Sequence, residues 1–166
     1  MDIVVRLEPA TSALPAVDYR WDADTDILTA SLRSAAVGEG MSGSVEIEGR
    51  DGSWLILEAS KGRIVGVEVA VWPDVRKVGS LAPPAKPQPS VVTLPSRRSQ
   101  PGVAVLEVDT VLAATADKAE RTIHFRIGPA RPTRPVAVAQ DIILDIDEHE
   151  RIAGVWLLNV PPFPAA

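Results

Sequence analysis

The sequence contains no cysteine, which excludes several kinds of chemistry at once. Disulfide bonds, thiolate metal ligands and cysteine nucleophiles all need the missing thiol. Since a chain without disulfides suits a reducing compartment, we expect a cytoplasmic protein. No apolar run approaches the about 20 residues that span a membrane. The first apolar run starts after Asp2 and ends at Arg6, which does not resemble a signal peptide.

Residues that act in catalysis are also scarce. The chain has two histidines, and it contains neither a Gly-x-Ser-x-Gly nucleophile elbow nor a phosphate-binding glycine loop that ends in Lys-Ser or Lys-Thr. His149 stands among carboxylates in a predicted turn. His124 falls on the face opposite the core row formed by Ile123 and Phe125, so we interpret it as a surface or cross-strand partner. We predict a protein that is not an enzyme, with no catalytic residue and no cofactor.

Aromatic side chains make up only 4% of the sequence, but most of them are tryptophans. The tryptophans are Trp21, Trp54, Trp72 and Trp156. Because tryptophan combines a large apolar area with a polar edge, we expect these residues to fill the core or to anchor an interface.

The most informative feature that the sequence does contain is an internal repeat. Residues 62–73 begin Gly-Arg-Ile-Val-Gly-Val, and residues 150–161 begin Glu-Arg-Ile-Ala-Gly-Val; the two align without a gap and both end in Pro. Trp156 occupies the position in the second copy that Glu68 holds in the first. The repeat indicates a duplication, so we expect two units packed with approximate two-fold symmetry, like a homodimer in one chain.

Alternation of apolar and polar residues predicts a chain made mainly of β-strands. Residues 28–32 alternate in this way, and residues 123–127 repeat the pattern. An Asp- and Thr-rich turn at residues 22–26 predicts a β-hairpin with the preceding strand. We therefore predict a mainly β fold with two repeats of antiparallel hairpins or small sheets. Asp109, a candidate N-cap followed by alanines, leaves a short helix open at residues 110–118.

Charge and proline content divide the chain into three segments. Residues 1–75 and 102–166 are acidic and form the two predicted β repeats, whereas residues 76–101 contain five Lys or Arg and no acid. The prolines of this basic linker exclude helix and favour extended backbone, and residues 90–94 are expected to add one edge strand. Because no aromatic residue lies among its cations, we interpret the linker as a connector attracted to the acidic lobes, not as a nucleic-acid-binding arm.

The acidic turn of the first repeat is a candidate binding site. Asp22, Asp24 and Asp26 occupy alternate positions, so an extended backbone would place their carboxylates on one face. A divalent-ion site completed by Glu68 is one interpretation, since hard cations prefer oxygen ligands. The turn is not an EF-hand loop, because the Gly and the final Glu of that loop are both replaced. The simpler interpretation is an exposed turn that satisfies its own amides.

Two stretches together resemble a family of small bacterial domains of unknown function. Residues 21–28, Trp-Asp-Ala-Asp-Thr-Asp-Ile-Leu, and residues 62–69, Gly-Arg-Ile-Val-Gly-Val-Glu-Val, are similar to its aromatic-Asp turn and its Gly-Arg-x-x-Gly-Ile-Glu motif. Thr29 stands where the family usually has Tyr. The resemblance covers about residues 19–72 and, in outline, residues 114–160. It implies a compact β-rich fold and a bacterial origin, without an established activity.

Our leading functional hypothesis is a non-catalytic protein-interaction module of a bacterial cytoplasm, which recognises another protein through a strand edge or a Trp-bearing face. The alternative is a small-molecule or divalent-metal-binding domain that uses the carboxylates of the first repeat. We expect no membrane association and no nucleic-acid partner, and either a monomer with pseudo-two-fold symmetry or a dimer. The predicted binding residues are Asp22, Asp24, Asp26, Glu68 and Trp156.

Overall fold

The computed structural model describes residues 3–33, 42–95 and 103–164, which form an all-β fold. The described strands are β1 (Arg6–Pro9), β2 (Val17–Asp22), β3 (Ile27–Leu32), β4 (Ser42–Gly49), β5 (Trp54–Ser60), β6 (Arg63–Val71), β7 (Val75–Val78), β8 (Gln88–Thr93), β9 (Val103–Thr110), β10 (Leu112–Asp117), β11 (Ile123–Ile127), β12 (Thr133–Ala139), β13 (Ile142–Asp147) and β14 (Ile152–Leu157). The prediction of a mainly β fold is confirmed. Among these residues there is no helix that could span a membrane.

Ten of the strands form two antiparallel sets of five. In the first set the strand order is β2, β3, β6, β5, β4. In the second set the order is β10, β11, β14, β13, β12. The two sets therefore have the same topology, with β10 to β14 in the places of β2 to β6. The hairpin predicted around residues 22–26 is present, and a second hairpin joins β5 to β6. Two-fold packing of the two sets stays a prediction.

Strands from elsewhere in the chain extend each set by parallel pairing. β9 runs alongside β4 from Ser42↔Val103 to Gly49↔Thr110. β7 pairs with β10, and β8 pairs with β12. A narrow junction between β6 and β8, through the pair Arg63↔Thr93, joins the two sets into one mixed sheet. The outer strands β4, β10 and β12 therefore form their backbone hydrogen bonds with strands from other parts of the chain.

The short helix that the sequence left open at residues 110–118 is absent, and these residues belong mainly to two strands. β9 ends at Thr110 and β10 begins at Leu112, so one extended segment follows another. Leu112, Ala114 and Ala116 are buried on one face of β10, and the strand pairs with β11 and β7. The helix preference of alanine is worth less than about 1 kcal/mol per residue, and burial with two-sided pairing outweighs it here.

The basic linker contains two of the strands. β7 covers Val75–Val78 and β8 covers Gln88–Thr93. The extended backbone expected at residues 90–94 is present, but Thr93 of β8 pairs both with Arg6 of β1 and with Arg63 of β6. Because both of its neighbours are strands, β8 lies inside the sheet and not at its edge.

A single apolar cluster includes buried side chains from both sets of strands. The alternation seen in the sequence produces it, because every second residue of each strand faces the same side. Its largest fully buried members are Ile3, Leu28, Ile47, Leu55, Leu57, Ile123, Phe125, Ile142, Leu144, Ile146, Ile152 and Leu157.

A buried carboxylate fixes the turn between β13 and β14. The side chain of Asp147 is 1% exposed and accepts hydrogen bonds from the backbone amides of His149 and Arg151. It also accepts bonds from Nε of Arg131 at 2.9 Å and Nε of Arg151 at 3.0 Å. Burial alone would raise the pKa of Asp147, but these hydrogen bonds outweigh it and hold the pKa at about 2.

We predict that Asp147→Asn lowers the free energy of unfolding at pH 7 by roughly 3 kcal/mol, because two guanidinium groups lose a buried charge partner. Urea unfolding measures this change. Glu148→Gln is the matched control, because Glu148 lies in the same turn with its side chain 72% exposed, and we expect a change within about 0.5 kcal/mol.

The same carboxylate gives the protein a defined acid sensitivity. The folded-state pKa of about 2 lies below the unfolded value of about 3.9. The stabilisation is therefore complete above about pH 4 and is lost as the pH falls toward about 2. The difference in unfolding free energy between the native protein and Asp147→Asn should shrink over this window. A difference that stays constant from pH 7 to pH 2 would contradict the assignment.

Candidate functional site

The acidic turn of the first set is exposed, and its first carboxylate stabilises the turn itself. Oδ1 of Asp22 accepts a hydrogen bond from the amide of Asp24 at 3.0 Å. The amide of Asp26 donates to the carbonyl of Asp22 at 2.8 Å, and Asp26 adopts a positive φ of 61°. The bond from the Asp24 amide is the largest cause that lowers the pKa of Asp22. This arrangement matches the simpler interpretation of the turn.

Glu68 belongs to a different acidic patch. It lies on β6 between Thr29 of β3 and Ile56 of β5. Burial, followed by the charges of Glu68 and Glu46, raises the pKa of Glu58 on the neighbouring strand. Within the described ranges, no three carboxylate or imidazole side chains lie in a group that could hold a metal ion. The structure therefore does not bring Glu68 and the three aspartates of the turn together as one metal site.

Two tryptophans and a phenylalanine form an aromatic cluster at one end of the sheet. Trp21, at the end of β2, stacks on Trp72, which follows β6, with ring centroids 5.7 Å apart and an interplanar angle of 20°. Phe163, near the C-terminus, meets Trp21 edge-on at 5.1 Å. Trp72 also contacts the buried ring of Phe125 at 5.8 Å. The cluster thus rests on the core and is fixed in place.

Hydrogen bonds to backbone carbonyls orient both indoles. Nε1 of Trp21 donates to the carbonyl of Pro161 at 2.8 Å, and Nε1 of Trp72 donates to the carbonyl of Asp26 at 2.7 Å. The hydroxyl of Tyr19 donates to the carbonyl of Leu158 at 2.7 Å, and burial raises the pKa of Tyr19 so that the hydroxyl keeps its proton. Side-chain hydrogen bonds from β2 therefore hold the C-terminal segment against this strand.

A groove of about 340 Å³ opens beside these rings, and we call it the tryptophan groove. It is lined by Trp21, Asp26, Trp72, Val75, Ala116, Glu120, Ile123 and Phe163. Its wall is apolar except for the two acids, and Lys77 outside the groove forms an ion pair of 2.6 Å with Glu120. Apolar walls with a few placed charges are typical of binding sites.

A slightly larger cleft of about 370 Å³ lies on another part of the molecule. Its lining includes Leu14, Arg33, Arg63 and Val91. No aromatic side chain lines this cleft, whereas Trp21, Trp72 and Phe163 line the tryptophan groove. We therefore regard the tryptophan groove as the stronger candidate site.

Trp156 lies elsewhere, in a polar cluster on the second set of strands. Its Nε1 donates to Oδ1 of Asp145 at 3.1 Å, and Oδ2 of Asp145 lies 2.7 Å from Nε2 of His124. The rings of His124 and Trp156 are 4.4 Å apart. Gly154 provides the space for this contact, because a Cβ there would collide with Oδ2 of Asp145 and lie 2.9 Å from the carbonyl of Phe125.

Sequence reasoning identified part of these sites. It singled out the tryptophans and Asp26, and it expected His124 to be a surface residue or a cross-strand partner; the pairing with Trp156 shows the second. It missed Phe163, because nothing local shows that the end of the chain returns to β2. It also missed Asp145, because no sequence motif connects this residue with His124 or Trp156. The pairing of β13 with β14 brings Asp145 close to Trp156, because Asp145 lies two residues beyond Ile143, the partner of Trp156.

A comparison with protein-family models finds no match to the chain, and a comparison with curated proteins finds none either. The resemblance to small bacterial domains therefore stays a prediction from the sequence.

We predict that Gly154→Ala lowers the free energy of unfolding by about 2 kcal/mol, because the added methyl group displaces Asp145 from its partners. Gly66→Ala is the matched control on β6, where the added Cβ would lie 3.2 Å from the carbonyl of Ala30 and should cost less than about 1 kcal/mol. Urea unfolding compares the two variants. Equal losses would show that the space above Gly154 is not needed for the polar cluster.

Proposed function

We propose that the protein is a non-catalytic protein-interaction module, and that the tryptophan groove binds a basic segment of a partner protein. The observation that carries the proposal is the stack of Trp21 on Trp72 beside Phe163, which indole hydrogen bonds to backbone carbonyls hold in place. Aromatic anchors on a rigid support supply much of the binding energy of protein interfaces. A preformed site also avoids the entropy cost of ordering side chains on binding.

The exposure of the cluster supports a binding role. Phe163 is 45% exposed although its ring contacts Trp21. Both indole N–H groups are already bonded to carbonyls, so they make no demand on a partner and leave the ring faces and edges for apolar contact. An aliphatic or aromatic partner side chain would therefore gain burial without leaving a donor unpaired.

The charge of the rim favours a cationic partner. Asp26 and Glu120 are the acids in the lining of the groove, and Asp22 and Asp24 lie in the exposed turn that contains Asp26. A lysine or arginine of the partner would place its aliphatic stem against the rings and its charge near these carboxylates. The ion pair between Lys77 and Glu120 is exposed, so exchanging Lys77 for a partner cation has a small cost.

The non-catalytic assignment is supported by the composition of the groove. Its lining contains no imidazole and no hydroxyl, while His124 lies in the separate cluster with Asp145. A bacterial cytoplasm is part of the proposal and is supported by the family resemblance and by the absence of cysteine from the sequence.

We also propose that the two five-strand sets arose by duplication and pack with approximate two-fold symmetry. The identical order of strands in the two sets supports this, as do the glycines at matching places, Gly66 on β6 and Gly154 on β14. A crystal structure would test it. If the second set could not be superposed on the first with the same strand directions, the symmetry would be wrong.

We predict that Phe163→Ala weakens partner binding at least about tenfold, because it removes an aromatic wall of the groove. The full chain is used to select phage-displayed random peptides, and the affinity of the recovered peptides is measured by fluorescence anisotropy. Val105→Ala is the control, since Val105 is 52% exposed on β9. Recovery of no peptide, or equal binding to Phe163→Ala and the native protein, would contradict the proposal.

The acidic rim gives a second prediction. Asp26→Asn should weaken the same peptides about twofold to fivefold and reduce the dependence of their affinity on salt. The variant keeps the carbonyl that accepts from Trp72, and asparagine tolerates the positive φ at this position. Asp109→Asn, at an exposed position of β9, is the control for removal of a charge. Peptides without Lys or Arg that bind the native protein and Asp26→Asn equally would show that the rim does not select cations.

A further inference from the structure

A second, smaller cavity lies beside the polar cluster of the second set of strands. Its volume is about 120 Å³. It is lined by His124, Arg126, Pro129, Ala130, Arg131, Thr133, Asp145 and Ala153. The lining therefore brings together two guanidinium groups, an imidazole and a hydroxyl.

The two arginines are held in place by the protein. Nε of Arg131 bonds to the buried carboxylate of Asp147, and its Nη1 donates to the carbonyls of Ile127 and Pro129, both at 2.9 Å. Nε of Arg126 donates to the carbonyl of Gly128 at 3.0 Å. Within the described part of the chain, the terminal nitrogens of Arg126 have no acceptor. Arg126 therefore brings unused donors and a positive charge to the lining.

The one carboxylate in the lining, that of Asp145, already has hydrogen-bonding partners. Oδ2 of Asp145 lies 2.7 Å from His124, and Oδ1 accepts from Trp156. Both oxygens thus have a partner within the cluster. The terminal nitrogens of Arg126 have no such partner among the described residues. The donors that this cavity leaves for a ligand therefore suit an anion better than a cation.

We propose that this cavity binds a small oxyanion, either inorganic phosphate or a carboxylate group of a larger molecule. Arg126 donates to the anion from its terminal nitrogens, and Thr133 adds a hydroxyl. Guanidinium groups match the geometry of both kinds of oxyanion. The volume lies well below the roughly 300–1,000 Å³ of pockets for drug-sized ligands, so a nucleoside does not fit inside.

The test uses the indole N–H signals of the full-length protein labelled with ¹⁵N, titrated with sodium phosphate at constant ionic strength. Trp156 contacts both His124 and Asp145, so its signal is the local reporter, assigned by its loss in Trp156→Phe. The signals of Trp21 and Trp72, in the tryptophan groove, are internal controls. We expect a saturable shift of the Trp156 signal and no shift of the two controls. A parallel titration with acetate distinguishes a carboxylate from phosphate.

Arg126→Gln should weaken the anion at least about tenfold. Arg134→Gln is the matched control, because Arg134 is on the same set of strands but forms an exposed ion pair with Glu150; it should bind as the native protein does. If Arg126→Gln does not fold, Thr133→Val, at an exposed position, replaces it with a smaller expected loss. No saturable shift with either anion, or equal affinity in the folded Arg126 or Thr133 variant and in Arg134→Gln, would overturn the proposal.

Discussion

Neither half of the chain completes its own sheet, and this constraint governs the rest of the structure. The free edge of β4 is covered by β9, and the edges of β10 and β12 are covered by β7 and β8. The backbone groups along a strand edge need partners, and here the partners come from the other half or from the linker. A connector that would otherwise be a spacer thereby becomes part of the sheet. The two halves consequently share one apolar core.

The same exchange builds the tryptophan groove. Trp72 follows β6, and the chain then continues into β7, which pairs with β10 of the other set. The segment after β14 in turn leaves the second set and packs against the first set, where its backbone carbonyls accept hydrogen bonds from Tyr19 and Trp21. The groove therefore forms where the segment that follows the last strand of each set contacts the other set. Its walls come from both sets, so neither half would form it alone.

The sequence predicted the strands well, because burial on one face leaves a period of two that can be counted. It could not predict which strands would pair across the halves, since backbone hydrogen bonds carry no side-chain signature. The ambiguity at residues 110–118 has the same origin: local alanine content favours a helix weakly, while the pairing of β10 with β7 and β11 depends on distant segments. For the sites, composition identified Trp21 and Trp72, but the contact with Phe163 depends on how the chain ends.

The central claim is that the C-terminal segment assembles the tryptophan groove before any partner binds. The most direct measurement is the set of nuclear Overhauser effects between the ring protons of Trp21 and those of Phe163 in the free protein. Ring centroids 5.1 Å apart predict strong effects, together with slow solvent exchange of the Trp21 indole proton that bonds to Pro161. Absence of these effects, with fast exchange of that proton, would contradict the account.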